Sequence, residues 1–255
     1  MSDFKFIPTK QQVEESNIFQ FMKKHDISSL DELSQKAKDD VEWFWESVDK
    51  DIGIVWDSPY TKTLDVSKGI EWSKWFVDGK TNIYKSSVEK FSKSNPKKIA
   101  YHFVSEDGIT SQLSYEELNS KVCKFANALK SLGVKKGDIV AIYLPMVEQA
   151  IITILAASKI GAIQTVIFSG YSSESLHIRL QDCNAKILVV SDGFHRKGKK
   201  ISQKKIIEDA ISNTSVEKTI VVSYKGVDKY DESEKLIFYD TITANQSASC
   251  PTEIT

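Results

Sequence analysis

The chain has 255 residues, a formal net charge of −1, 41% hydrophobic and 27% charged residues, 5 Pro and 11 Gly. That composition excludes a collagen-like fibre, a disordered tail and a disulfide-knotted peptide. The balanced charge speaks against a dedicated nucleic-acid binder, which is normally basic overall. Cys123, Cys183 and Cys250 are too few and too scattered for a disulfide framework or a metal site, and point to a reducing compartment. The first ten residues carry no apolar signal core. The most apolar stretch, residues 150–168, is long enough to span a bilayer, yet Lys159, Gly161 and Gln164 interrupt it, and it divides into a helix and a strand. A cytoplasmic protein with no membrane span is the expectation.

Taken in chain order, the opening reads as helices over residues 9–25 and 29–48. Leu30, Leu33, Ala37, Val41, Phe44 and Val48 recur at helical steps of three and four. Ser29 and Glu32 fit a capping box at the second start. All five tryptophans (Trp43, Trp45, Trp56, Trp72 and Trp75) fall within the first 75 residues, the clearest sign of a boundary. Clustered indoles serve either as a stacking surface or as apolar area that packs this arm onto a larger body. No hydrogen-bonding constellation accompanies them, which favours packing.

From about Tyr84 the texture changes. Residues 99–104 and 111–113 predict a hairpin around Glu106, Asp107 and Gly108. Ser114 and Glu117 form a second capping box, followed by Leu118, Val122, Phe125, Leu129 and Leu132 on one helical face and by Gly133 at the C-terminal cap position. Strands are predicted over 138–144, 162–168, 186–191 and 218–222, separated by helices over 147–158, 172–183 and 202–212. Near-continuous apolar strands alternating with helices predict a mostly parallel α/β sheet covered on both faces. Residues 241–255 are polar and carry no legible motif.

In such sheets ligands bind beyond the carboxyl ends of the strands, and two loops there hold candidate residues. The first is the turn Phe168, Ser169, Gly170. Its glycine allows a tight turn or close approach to a flat ligand, and the same residues also suit a plain strand-to-helix connection. The second follows strand 186–191. From Arg196 to Lys205 it holds six cations and no acid, either an anion site or a solvated basic turn. Residues 193–200 nearly fit the phosphate-loop pattern G-x-x-x-x-G-K-[ST], but Lys200 stands where the Mg²⁺-binding hydroxyl belongs, which argues against a P-loop nucleotidase. The four histidines, at 25, 102, 177 and 195, are dispersed, so no metal set is assigned.

Four stretches carry a resemblance: WSKWFVDGKTNI (72–83), LGVKKGDIVAIYLPMVEQAI (132–151), SKIGAIQTVIFSGYSSESLHIRLQDCNAK (158–186) and SDGFHRKGK (191–199). In this order they resemble successive blocks of AMP-forming acetyl-CoA and acyl-CoA synthetases. The resemblance implies residues 1–83 as the helical, tryptophan-rich N-terminal region and 84–255 as the first part of an adenylation domain. It implies that Phe168, Ser169 and Gly170 lie against the adenine of CoA, and that Arg196 and Lys199 contact CoA phosphates. Ser169 replaces the usual glycine, Lys199 keeps charge without a planar fork, and residues 84–91 depart from the family's tyrosine-asparagine-cysteine run. The family's Ser/Thr/Gly-rich phosphate loop, its acyl pocket and its catalytic lysine are expected beyond residue 255. The expectation is therefore an N-terminal portion with part of a CoA site and no catalytic residue, ATP, Mg²⁺ and carboxylate being handled only in the complete enzyme. The alternatives are a non-catalytic CoA- or nucleotide-binding module and an inactive relic.

Overall fold

The computed structural model describes residues 6–105, 108–224, 226 and 228–255. Contacts divide it into two units, Met1–Lys80 and Thr81–Thr255.

In the first unit each of the two predicted long helices is broken by a cap. Helices α1 (Lys10–Glu14) and α2 (Asn17–Lys24) are separated by Ser16, whose Oγ accepts from the Phe19 N–H at 3.3 Å. Helices α3 (Leu30–Asp39) and α4 (Val41–Ile52) part at Asp40, which leaves helical dihedrals and caps α4 by accepting from the Trp43 N–H at 2.9 Å. The apolar stripe runs across this break unchanged; the carboxylate decides it. Ser29 caps α3, but Glu32 reaches one residue further back than a capping box requires, to the Ser28 N–H at 2.8 Å. Short strands follow: β1 (Trp56–Ser58), β2 (Lys62–Asp65), β3 (Lys74–Val77) and β4 (Lys80–Thr81), with β2 and β3 antiparallel. Several indoles pack within this unit: Trp45 lies 5.9 Å from Trp75 and Trp56 5.5 Å from Phe76, while Trp72 is 68% exposed.

In the second unit the predicted hairpin forms as β5 (Ile99–Val104) and β6 (Thr110–Ser114), antiparallel; Glu106 and Asp107 lie outside the described residues. Helix α6 (Tyr115–Ser131) follows α5 (Lys90–Ser94). Its capping box is complete, Ser114 and Glu117 each satisfying the other's backbone N–H. Leu118, Val122, Phe125 and Leu129, on one face at steps of three and four, are all fully buried. Beyond it come β7 (Ile139–Tyr143), α7 (Glu148–Lys159), β8 (Ile163–Val166), α8 (Ser173–Cys183), β9 (Ile187–Ser191), β10 (Gly193–Arg196), β11 (Lys199–Ser202), α9 (Lys204–Ile211), β12 (Lys218–Val222), β13 (Leu236–Phe238) and α10 (Tyr239–Thr243).

The main sheet is parallel throughout, in the order β13-β12-β9-β7-β8. Alternation along the strands separates two cores. Ile187 and Val189 of β9 join Val140, Ile142 and Ile220 against α6 and α7. Leu188 and Val190 join Ala141, Tyr143 and Val221 against α8 and α9. The central strands are thus covered on both faces, as the sequence predicts. Strand β8 departs from that expectation: it lies at the sheet edge, and Ile163 and Val166 are 54% and 64% exposed. The predicted helix over 202–212 starts later because Ser202 belongs to β11 and Gln203 is the N-cap.

Residues 247–255 have no regular structure, yet they are held along their length. Asn127 Nδ2 donates to the carbonyls of Ser247 and Ser249, both at 2.9 Å. Asn82 Nδ2 donates to Ser158 O at 2.7 Å and to Glu253 O at 2.8 Å. The Glu253 N–H donates to Lys159 O at 2.8 Å, and Lys159 Nζ to Thr252 Oγ1 at 2.7 Å. Lys159 is 2% exposed, and its ammonium sits 4.1 Å from the centre of the buried Tyr84 ring. Among the described residues no helix is long and apolar enough to cross a membrane, and no group of His, Cys, Asp and Glu is arranged to hold a metal ion.

Candidate functional site

Strand β7 connects through α7 to β8 on one side, and β9 through α9 to β12 on the other, so the order of the sheet reverses between β7 and β9. A crevice at the carboxyl ends of the strands is expected at such a reversal. A cleft of about 330 Å³ lies there. Its walls are Pro145, Met146 and Val147 after β7, Phe168, Ser169 and Gly170 after β8, Phe194, His195 and Arg196 of β10, and Tyr224 after β12, with Val104 and Ser105 completing the rim.

The turn 168–170 is built from beneath and from above. The Tyr171 N–H bonds Phe168 O at 3.1 Å and closes it, and Ser172 then caps α8. Buried Tyr143 on β7 donates its hydroxyl to Tyr171 O at 2.7 Å. Burial pushes the Tyr143 hydroxyl above its ordinary range, so it stays a donor at neutral pH. On the outer side the Phe168 ring folds over Gly170: a Cβ there would stand 2.5 Å from Phe168 Cε1. A side chain at position 170 would therefore push aside the Phe168 ring, which is itself 62% exposed. Tyr171 meets Phe168 edge-on at 5.6 Å, and the Arg179 guanidinium lies 4.4 Å from the Tyr171 ring centre.

The basic loop forms a β-hairpin, a shape its charge pattern does not disclose. Strands β10 and β11 pair antiparallel across a two-residue turn, Lys197 and Gly198, with φ of 51° and 72°. Positive φ at both central positions is the signature of the turn whose twist matches a two-residue hairpin. The register sets Arg196 directly opposite Lys199 and His195 opposite Lys200. Two like charges facing each other across strands are unfavourable unless an anion lies between them. His195 meets the Tyr224 ring at 5.5 Å, which closes the floor of the cleft on that side.

Four of the five residues picked out from sequence, Phe168, Ser169, Gly170 and Arg196, therefore line one cleft. Lys199 is exposed and does not line it, but sits across the hairpin from Arg196. Sequence reasoning passes over Met146 and Tyr224, and it favours a solvent-facing place for His195, which here lines the cleft beside Arg196. The rule that singled out the loops after β8 and β9 also applies to the loops after β7 and β12, and it locates Met146 and Tyr224.

Sheet, reversal and cleft define an α/β domain with an open cleft across the carboxyl ends of its parallel strands. The chain belongs to the AMP-binding enzyme family, whose sequence model matches residues 88–252; residues 30–86 match the acetyl-coenzyme A synthetase N-terminus family. An acetyl-coenzyme A synthetase from Methanothrix thermoacetophila is 41% identical over 244 residues, covering 94% of this chain and 37% of the relative. One from Methanothrix soehngenii is 36% identical, covering 96% of this chain and 37% of its own length. The chain thus spans little more than a third of these curated relatives. In fold it is similar to acetoacetyl-CoA synthetase from Streptomyces lividans, with a TM-score of 0.87 at 21% identity over 97% of this chain and 39% of that one.

Proposed function

We propose that this chain is the amino-terminal portion of an AMP-forming acyl-CoA synthetase and supplies part of its CoA site. Residues 1–83 are read as the N-terminal arm and 84–255 as the first part of the adenylation domain, in keeping with the break in packing after Lys80. In the complete reaction a carboxylate attacks the α-phosphorus of MgATP, releasing pyrophosphate; the CoA thiol then displaces AMP from the acyl-adenylate. The first step needs donors and metal around the reacting phosphate, and that role is assigned to none of the cleft residues named above. They suit the nucleotide end of CoA. Phe168, Ser169 and Gly170 offer a flat aromatic and backbone wall, and Arg196 with Lys199 offers paired cations for phosphate.

The single observation that carries this reading is the meeting of the turn and Arg196 in one cleft at the sheet reversal. Calorimetry with CoA on the purified chain tests it. Arg196→Ala removes a charge-assisted contact worth about 1.5 kcal/mol, so the affinity is expected to fall roughly tenfold. An unchanged isotherm overturns the assignment. Acetate-dependent ATP–pyrophosphate exchange is expected to be absent from the chain alone, and robust exchange would overturn the division of labour.

A further inference from the structure

A buried set of hydrogen bonds lies beneath the cleft and ties together loops that are far apart in sequence. Gln203 is 0% exposed and stands at the N-cap of α9, but its side chain makes no bond to its own helix. It turns inward instead. Its Nε2 donates to Ser169 O at 3.0 Å, and its Oε1 accepts from Ser191 Oγ at 2.6 Å. The Gln203 backbone N–H donates to Asp192 O at 3.3 Å. Asp192, 1% exposed, accepts in turn from the Tyr224 N–H at 2.7 Å and from Ser223 Oγ at 3.3 Å. The turn 168–170, the hairpin β10–β11 and the loop after β12 therefore share one buried junction. An apolar side chain of similar length would fill the same space, but would leave Ser169 O without its donor and the turn without that anchor.

We propose that Gln203 is a positioning residue for the nucleotide end of CoA: its carboxamide holds Ser169 O and thereby sets the separation between the Phe168–Gly170 wall and the hairpin carrying Arg196. This rests on the CoA reading above and adds to it the group that couples the two halves of the site. Gln203 touches no ligand. It acts by removing the freedom of the turn before CoA arrives, which lowers the cost of ordering on binding.

The test compares the wild-type 255-residue chain with Gln203→Leu and Gln203→Glu by calorimetry with CoA and by amide hydrogen exchange. Gln203→Leu is expected to weaken CoA binding about tenfold at unchanged stoichiometry. It should also speed exchange of the Tyr171 N–H, which closes the turn onto Phe168 O. A merely structural role would lower the stoichiometry through unfolded protein and leave the affinity of the folded fraction unchanged; that result overturns the proposal. Gln203→Glu keeps the shape and the acceptor for Ser191 but loses the donor toward Ser169. Burial at this position raises a carboxyl's pKa, so the variant should bind weakly at pH 8 and recover toward wild type as the pH is lowered and the protonated carboxyl donates again; wild type at each pH is the control. Binding by both variants within twofold of wild type at pH 8 also overturns the proposal. If the wild type itself does not bind CoA, the CoA reading fails. Exchange at Tyr171 then still decides whether Gln203 holds the turn, and unchanged exchange overturns that as well.

Discussion

Asn82 is the smallest perturbation that separates a held C-terminal segment from a merely adjacent one. The residue is 1% exposed and uses its whole carboxamide: Nδ2 donates to Ser158 O and Glu253 O, and Oδ1 accepts from the buried Tyr84 N–H at 2.9 Å. Asn82→Leu roughly conserves volume and removes all three bonds. Ser158 O keeps its bond from the Gly161 N–H at 3.1 Å, so the loss falls on Glu253 O and the Tyr84 N–H. Two part-buried groups left without these partners cost about 2–3 kcal/mol together. For a unit of this size that lowers Tm by about 4–12 °C. Urea denaturation should show a lower midpoint at an unchanged slope, and amide exchange should accelerate at Glu253, whose N–H bonds Lys159 O. Asn82→Asp, which keeps the acceptor for Tyr84 but sets a carboxylate against two carbonyls, should be at least as damaging. A loss below about 0.5 kcal/mol for both variants, with exchange at Glu253 unchanged, would refute the reasoning.

Two further outcomes follow from α6 and from Lys159. Ser114→Ala removes the hydroxyl half of the α6 capping box while the Glu117 carboxylate keeps its bond from the residue-114 backbone N–H; a loss of about 1 kcal/mol in denaturant unfolding is expected, and a neutral result would show the hydroxyl to be redundant. Burial pushes the Lys159 ammonium below the ordinary lysine range, partly countered by nearby Cys123, Glu89 and Cys250. The folded state then binds fewer protons than the unfolded one between that lowered value and about 10.4, so this residue makes stability rise with pH across that window. Lys159→Met should lose that rise, so that its Tm at pH 10 relative to its Tm at pH 8 is lower than the same difference in wild type; parallel curves would contradict it.

Much of this fold is legible because local and global signals agree. Helix α6 has a capping box and a stripe of Leu118, Val122, Phe125 and Leu129, and it forms as predicted. Strands β7, β9 and β12 are apolar runs and are buried on both faces. The break at Asp40 is less legible because the apolar spacing continues through it, and one capping bond outweighs the pattern. Strand β13 and helix α10 are too short to build a periodicity at all. At the site, the charge of the 196–205 stretch can be read directly, whereas its hairpin depends on two left-handed residues, Lys197 and Gly198. Gln203 escapes sequence reading altogether: a polar residue in a basic run carries no sign of being fully buried. The fastening of residues 247–255 is equally silent, because what their partners seize is mainly backbone carbonyl, which every residue possesses.

That fastening bears on the order in which the unit can fold. Asn82 and Glu253 are 171 residues apart, Asn127 and Ser247 120, and Thr81 and Thr255 174. Contacts between such distant partners carry the largest loop-closure cost and form after the local hairpin and helices. During synthesis helices α6 and α7 emerge well before the residues that fasten them. Until then Asn82 lacks one of its three hydrogen bonds, and the ammonium of Lys159 lacks its bond to Thr252 Oγ1. Residues 247–255 thus act as a late fastener: a ribosome-bound chain paused short of them leaves the carboxamides of Asn82 and Asn127 short of these carbonyls and open to chaperones and neighbouring chains.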